Sequence, residues 1–171
     1  DLIFLNFVCE AMGFLQPGTT FLQIGANDGV TNDVCGPLAR KYGWQGQAFE
    51  PIPEIFDQLV RTYKNFPAVR PHDLAVGTDN GREIFYKVNH PIPAAQQLGS
   101  FRKDVILKHA DSFQETTGMR LEDAIVEIEV DTISINNVFK EMYPDGVNCI
   151  FSDTEGNDWE IITSIDFQEK M

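Results

Sequence analysis

Three groups of residues have types and spacing that could do chemistry. The first is Gly25-Ala26-Asn27-Asp28-Gly29, which follows the apolar residues Phe21, Leu22 and Ile24. Glycines there let the backbone approach a ligand that a Cβ would push away. The second is Glu50-Pro51, where the acid falls roughly 20 residues past the glycine turn, the spacing of a ribose-binding carboxylate. The third is Asp153-Thr154-Glu155-Gly156, at the end of another apolar run. Two carboxylates so placed can serve as general base and orienter for a weakly acidic hydroxyl group. Plainer roles stand beside these. Glu50 can cap a helix near Pro53, and Asp153 and Glu155 can be acids that favour a helix N-terminus. Position and spacing together favour the ribose role for Glu50; for the acid pair both roles stay open.

Several elements must position these groups. A strand over Phe21–Ile24 runs into the glycine turn, and Pro37 and Gly43 bracket a short helix from Gly36 to Tyr42. Gln47–Glu50 forms a second strand. Ile55, Phe56, Leu59, Val60 and Tyr63 recur with helical periodicity over Glu54–Lys64. Val69–Val76 is a third strand region, and Asp79-Asn80-Gly81 turns it toward Arg82–Val88 as a hairpin. His90–Gly99 is a loop, Phe101–Phe113 a helix, and Ala124–Val130 a half-exposed strand. Ser134 caps the next helix, Val147–Ser152 is the last strand, and Trp159, Ile162 and Ile165 mark the last helix. Strands alternating with helices predict an α/β fold, a mostly parallel sheet with helices on both faces. Ligands bind such sheets at the carboxyl ends of the strands, where all three groups fall.

Composition narrows the partners. The 171 residues suffice for one domain with a real core. A net charge of -13 argues against nucleic acid and against an anionic membrane surface, and suits a neutral or cationic ligand. Leu2–Leu15 is apolar but too short to span a bilayer, and Asn6 and Glu10 interrupt it. Three scattered cysteines, Cys9, Cys35 and Cys149, fit neither a disulfide framework nor a zinc site and point to a reducing, cytoplasmic interior. His72, His90 and His109 lack metal-ligand spacing, and the pair Asp153 and Glu155 is too little to claim a divalent ion. A third base candidate is His109, although a helix-face histidine is more often structural.

The glycine turn does not spell the dinucleotide pattern, because Asn27 stands where a middle glycine belongs. Asp28 and Asp33 bracket it, so a pyrophosphate would face carboxylates. A cofactor carrying a positive sulfonium would not suffer this.

The combination Ile24-Gly-Ala-Asn-Asp-Gly29, Phe49-Glu-Pro-Ile-Pro53, Asp73-Leu-Ala-Val-Gly77 and Asp153-Thr-Glu-Gly156 resembles the FkbM-type methyltransferases, in the right order from about Thr20 to Phe167. The resemblance implies a Rossmann-like class I fold and S-adenosylmethionine as cofactor. It implies that the Gly25–Gly29 turn holds the methionyl part, that Glu50 binds the ribose, and that Asp73, Leu74 and Ala75 flank the adenine. It places Ser100, Phe101 and His109 near a small-molecule acceptor, a hydroxyl on a sugar or another natural product. Residues 1–18 are then an apolar helix and lead-in, and residues 19–171 the cofactor-binding domain. Two departures stand out. Gln23 replaces an acid that many members carry, and the family fold continues past the helix at Trp159, so part of the sheet is expected to be missing. An open sheet edge there favours self-association. The alternatives are a nicotinamide-dependent oxidoreductase of related fold, or a domain that keeps the fold as a non-catalytic module.

Overall fold

A computed structural model describes residues 8–167. Strand β1 (Thr20–Ile24) is almost wholly buried. Its alternation sends Phe21 to one face of a sheet and Leu22 and Ile24 to the other. Helix α1 (Cys35–Tyr42) ends at Gly43, whose φ of 71° accepts the left-handed cap. It leads to β2 (Gln45–Phe49), and α2 (Pro53–Tyr63) leads to β3 (Val69–His72). These strands and β8 (Cys149–Ser152) form an all-parallel sheet in the order β3-β2-β1-β8.

Both faces of this sheet are covered. On one, Leu38 and Ala39 of α1 and Leu59 and Tyr63 of α2 pack on Phe21, Ala48 and Val69. On the other, Leu22, Ile24 and Phe49 meet Ile135 and Val138 of one helix and Ile161 of another. The first of those two helices is Ile135–Met142, capped by Ser134, whose hydroxyl accepts from the Asn137 N–H. The second is Asp158–Thr163.

The sequence predicted one sheet; the chain forms two. The region Val69–Val76 is not a single strand, because Asp73 and Leu74 leave the extended pairing after β3 and Leu74 packs into the core. The short β4 (Ala75–Gly77) then joins a second sheet of order β4-β7-β5-β6. The expected hairpin between this region and the strand after Gly81 does not form. Instead β5 (Gly81–Val88) runs antiparallel to β7 (Ile125–Ser134), from Gly81 opposite Thr132 to Val88 opposite Ile125, while β4 lies parallel on the other side of β7. Two residues, Gly99–Ser100, make β6 at the far edge.

Helices differ too. The His90–Gly99 loop contains a short one, Pro93–Gln96. The predicted helix Phe101–Phe113 starts later, at Lys103, tightens to a 3-10 turn over Leu107–His109, and resumes at Ala110–Thr117. Phe85, Val130 and Ala75 of the second sheet pack against Ile52 and Ile55, which start α2. That cluster carries the second sheet to the carboxyl ends of the first. Among the described residues no helix is long and apolar enough to cross a membrane.

Candidate active site

A cavity of about 710 Å³ opens where β1, β2 and β8 end and the second sheet closes over them. Its floor is the glycine turn. Gly25 (φ 74°) and Ala26 both donate to the Phe49 carbonyl, which ties the turn to the end of β2. Asp153 donates its N–H to the Ile24 carbonyl, which ties it to β8. Asn27 adopts a left-handed φ of 52° and donates its backbone N–H to Oε2 of Glu50 at 3.0 Å. Oε1 of Glu50 accepts from the Ile52 N–H at 2.8 Å. Glu50 thus ties the glycine turn to the residue that precedes α2, and each of its carboxylate oxygens keeps a second acceptor site.

Glu50 is 6% exposed. Burial pushes its pKa up from 4.5 to about 7, against the pull of the Ile52 and Asn27 amides, with the charge of Asp73 adding to the rise. The native state thus holds this proton more tightly than the unfolded chain does. The contribution to stability is greatest below about 4.5 and falls as pH rises through about 7, by about 3 kcal/mol in all. Urea midpoints across that window should show this loss in the wild type and lack it in Glu50→Ala; equal slopes would remove Glu50 from the pH response.

The two acids bracketing the turn are otherwise engaged. Asp28 accepts from the Val30 and Thr31 amides and the Thr31 hydroxyl. Burial would raise its pKa, but these bonds outweigh it and hold it low. Asp33 accepts from the Cys35 and Gly36 amides, capping α1, and from the Gln23 side chain at 2.9 Å. Gln23 is 6% exposed, and its Oε1 has no donor among the described residues.

Asp153 makes no side-chain hydrogen bond to the protein among the described residues and is exposed, so its carboxylate can meet a ligand. Glu155 has a left-handed φ of 52°, its backbone carbonyl accepts from the Ser100 hydroxyl at 2.8 Å, and its carboxylate lies 4.0 Å from Nε2 of His109. The turn bearing both acids is fixed by Asp158, whose Oδ1 accepts from the Ser152 hydroxyl and from the Thr154 N–H. Burial opposes the charge on Asp158, and those bonds prevail to hold its pKa low.

Of the residues singled out in the sequence, Gly25, Ala26, Asn27, Glu50, Pro51, Ala75, Asp153 and Glu155 line the one cavity. Asp28, Gly29, Asp73, Leu74 and His109 do not. Asp28 and Gly29 turn toward α2, where Thr62 donates to the Asp28 carbonyl. Phe101, placed near the acceptor by the sequence, also lines the cavity; the sequence reading missed Phe85 and Leu98 of the same apolar wall, in which the Phe85 and Phe101 rings meet edge to face at 5.0 Å. It also missed Asp158, although an aspartate opening the helix of Trp159 is a legible capping signal.

A strand-end cavity floored by the Gly25–Asn27 turn and walled by the carboxylates of Asp153 and Glu155 makes this α/β domain a candidate for holding a small ligand. The family follows from the sequence match: the model of the methyltransferase FkbM domain covers residues 23–170, and the chain belongs to that family. No curated protein and no solved structure matches it.

Proposed function

We propose that this chain uses S-adenosylmethionine to methylate a hydroxyl group on a sugar or another small natural product, on a Rossmann-like class I domain. The observation that carries the cofactor is the charge of the cavity. Asp33, Asp153 and Glu155 line it together with Glu50, which is partly charged near neutral pH, and among the described residues no Lys, Arg or His belongs to the lining. A pyrophosphate would be repelled there, whereas a sulfonium would not. Gln23 adds to the fit. Its Nε2 must be the end facing Asp33, because a carboxylate only accepts, so Oε1 is the free end. An ammonium group supplies the donor that Oε1 lacks.

When bound, S-adenosylmethionine supplies an electrophilic methyl group on a positively charged sulfur. Gln23 and the Gly25–Asn27 backbone would hold its methionyl part, Glu50 its ribose, and Pro51, Ile52 and Ala75 the base. Asp153 or Glu155 takes the proton of the acceptor hydroxyl. The phenyl rings of Phe85 and Phe101 exclude water from that side.

The test is a thermal shift with S-adenosylhomocysteine and NAD side by side. S-adenosylhomocysteine should raise the melting temperature and NAD should not. In Glu50→Ala the affinity for S-adenosylhomocysteine should fall by about 1.5–3 kcal/mol, as for a charge-assisted hydrogen bond. Stabilisation by NAD alone would overturn the proposal in favour of a nicotinamide enzyme.

A further inference from the structure

A neighbour sets the direction of the free oxygen of Gln23. Gln23 lies in β1 between Ala48 of β2 and Phe151 of β8, so its backbone is fixed from both sides. It lines the cavity, and its Oε1 is buried without a donor among the described residues. Asp33 decides that this oxygen, and not the NH2 group, is the free end. Oδ1 of Asp33 accepts from Gln23 Nε2 and from the Cys35 N–H, both at 2.9 Å. Oδ2 accepts from the Gly36 N–H at 2.8 Å and from the Tyr63 hydroxyl at 3.3 Å. Donors from β1, from the start of α1 and from the end of α2 therefore hold this one carboxylate in place.

We propose that Asp33 is a positioning residue that, through Gln23, makes this corner of the cavity selective for a ligand bearing a protonated primary amine. The proposal rests on the S-adenosylmethionine reading, since the amino-acid end of that cofactor carries such an amine. An amide is donor at one end and acceptor at the other, and an unheld one can offer either to a ligand. A carboxylate only accepts, so Asp33 keeps the NH2 group and leaves the carbonyl for the cavity. The bond at the NH2 end also polarises the amide and strengthens its oxygen as an acceptor. The charge of Asp33, directly behind that amide, favours a cation in front of it. A ligand without a donor at that point leaves the buried Oε1 unpaired and loses affinity.

The experiment is calorimetric titration with S-adenosylhomocysteine and with its analogue lacking the amino group. The wild-type protein should bind the first about 10–100-fold more tightly, as for a hydrogen bond from a charged donor. Asp33→Ser keeps an oxygen that can cap α1 but is too short to hold Gln23, and should bring that ratio close to one. Gln23→Met should do the same, and the double variant should lose nothing further, because the two residues act through one contact. The wild-type protein gives a check that needs no variant to fold. Its nuclear Overhauser spectrum should join the Gln23 side-chain NH2 to the Cys35 N–H, the two donors on Oδ1.

Equal affinities of the wild type for both ligands would overturn the proposal and leave the cofactor reading standing. So would an undiminished ratio in Asp33→Ser, a further loss in the double variant, or a Gln23 NH2 group without the Cys35 contact. If neither ligand binds the wild-type protein, the cofactor reading falls and this role of Asp33 falls with it.

Discussion

Replacing Gly25 by alanine should cost the domain about 2–5 kcal/mol and close its cavity to ligand. Two effects add. The residue sits at φ 74°, where a Cβ is strained by about 1–2 kcal/mol. A Cβ built there would also lie 2.0 Å from the Asp153 carbonyl oxygen, and that oxygen is backbone and cannot swing away. The ends of β1 and β8 would have to separate, breaking the Asp153 N–H bond to Ile24 that aligns the acid-bearing turn. Gly118→Ala is the control. It shares the left-handed conformation (φ 73°) but has nothing within 4 Å, so it should lose only the strain. Urea unfolding of both variants separates strain from collision. Equal losses would mean that the two strand ends part freely.

Much of this site was legible because it depends on local sequence. An apolar strand followed by Gly-Ala-Asn-Asp-Gly specifies a turn through backbone conformation alone, and Gly25, Asn27 and Gly29 do take positive φ. Glu50 sits where its spacing from that turn placed it, and the N-cap of Ser134 is present as the sequence predicted. What the sequence hid is set by contacts between distant segments. Arg82–Val88 alternates as a strand in either pairing, so nothing local distinguishes a hairpin to β4 from the longer ladder to β7. Phe85 reaches the cavity only because that ladder forms. The cysteines look scattered at positions 9, 35 and 149 and converge only through the β1–β8 pairing and the packing of the N-terminal helix. Asp73 fits a motif in sequence, yet the chain changes sheets there and takes its side chain out of the cavity lining.

Asp153→Asn should lower turnover by roughly 10²–10⁴-fold while leaving affinity for S-adenosylhomocysteine nearly unchanged. Of the two acids at the end of β8, Asp153 is the one whose carboxylate has no partner in the protein among the described residues, so it is free to receive a proton. Glu155 is held differently: its left-handed backbone and the Ser100 bond fix its carbonyl, and its carboxylate faces His109. Strand alternation alone would send positions 153 and 155 the same way; the turn breaks that alternation, and the cavity still brings both to its wall. On the proposed reading, with Asp153 as base and Glu155 as orienter, Glu155→Gln should be the milder variant. The asparagine keeps the size of the side chain and removes its basicity, so a loss of turnover with intact cofactor affinity reports proton transfer rather than collapse of the turn. Calorimetric titration gives the affinity, and initial rates with a hydroxylated acceptor give the turnover. Were both variants to keep full turnover with normal affinity, the base would lie elsewhere. His109→Asn would be the next variant to measure, and a third unchanged rate would leave alignment of acceptor and methyl group as the source of the acceleration.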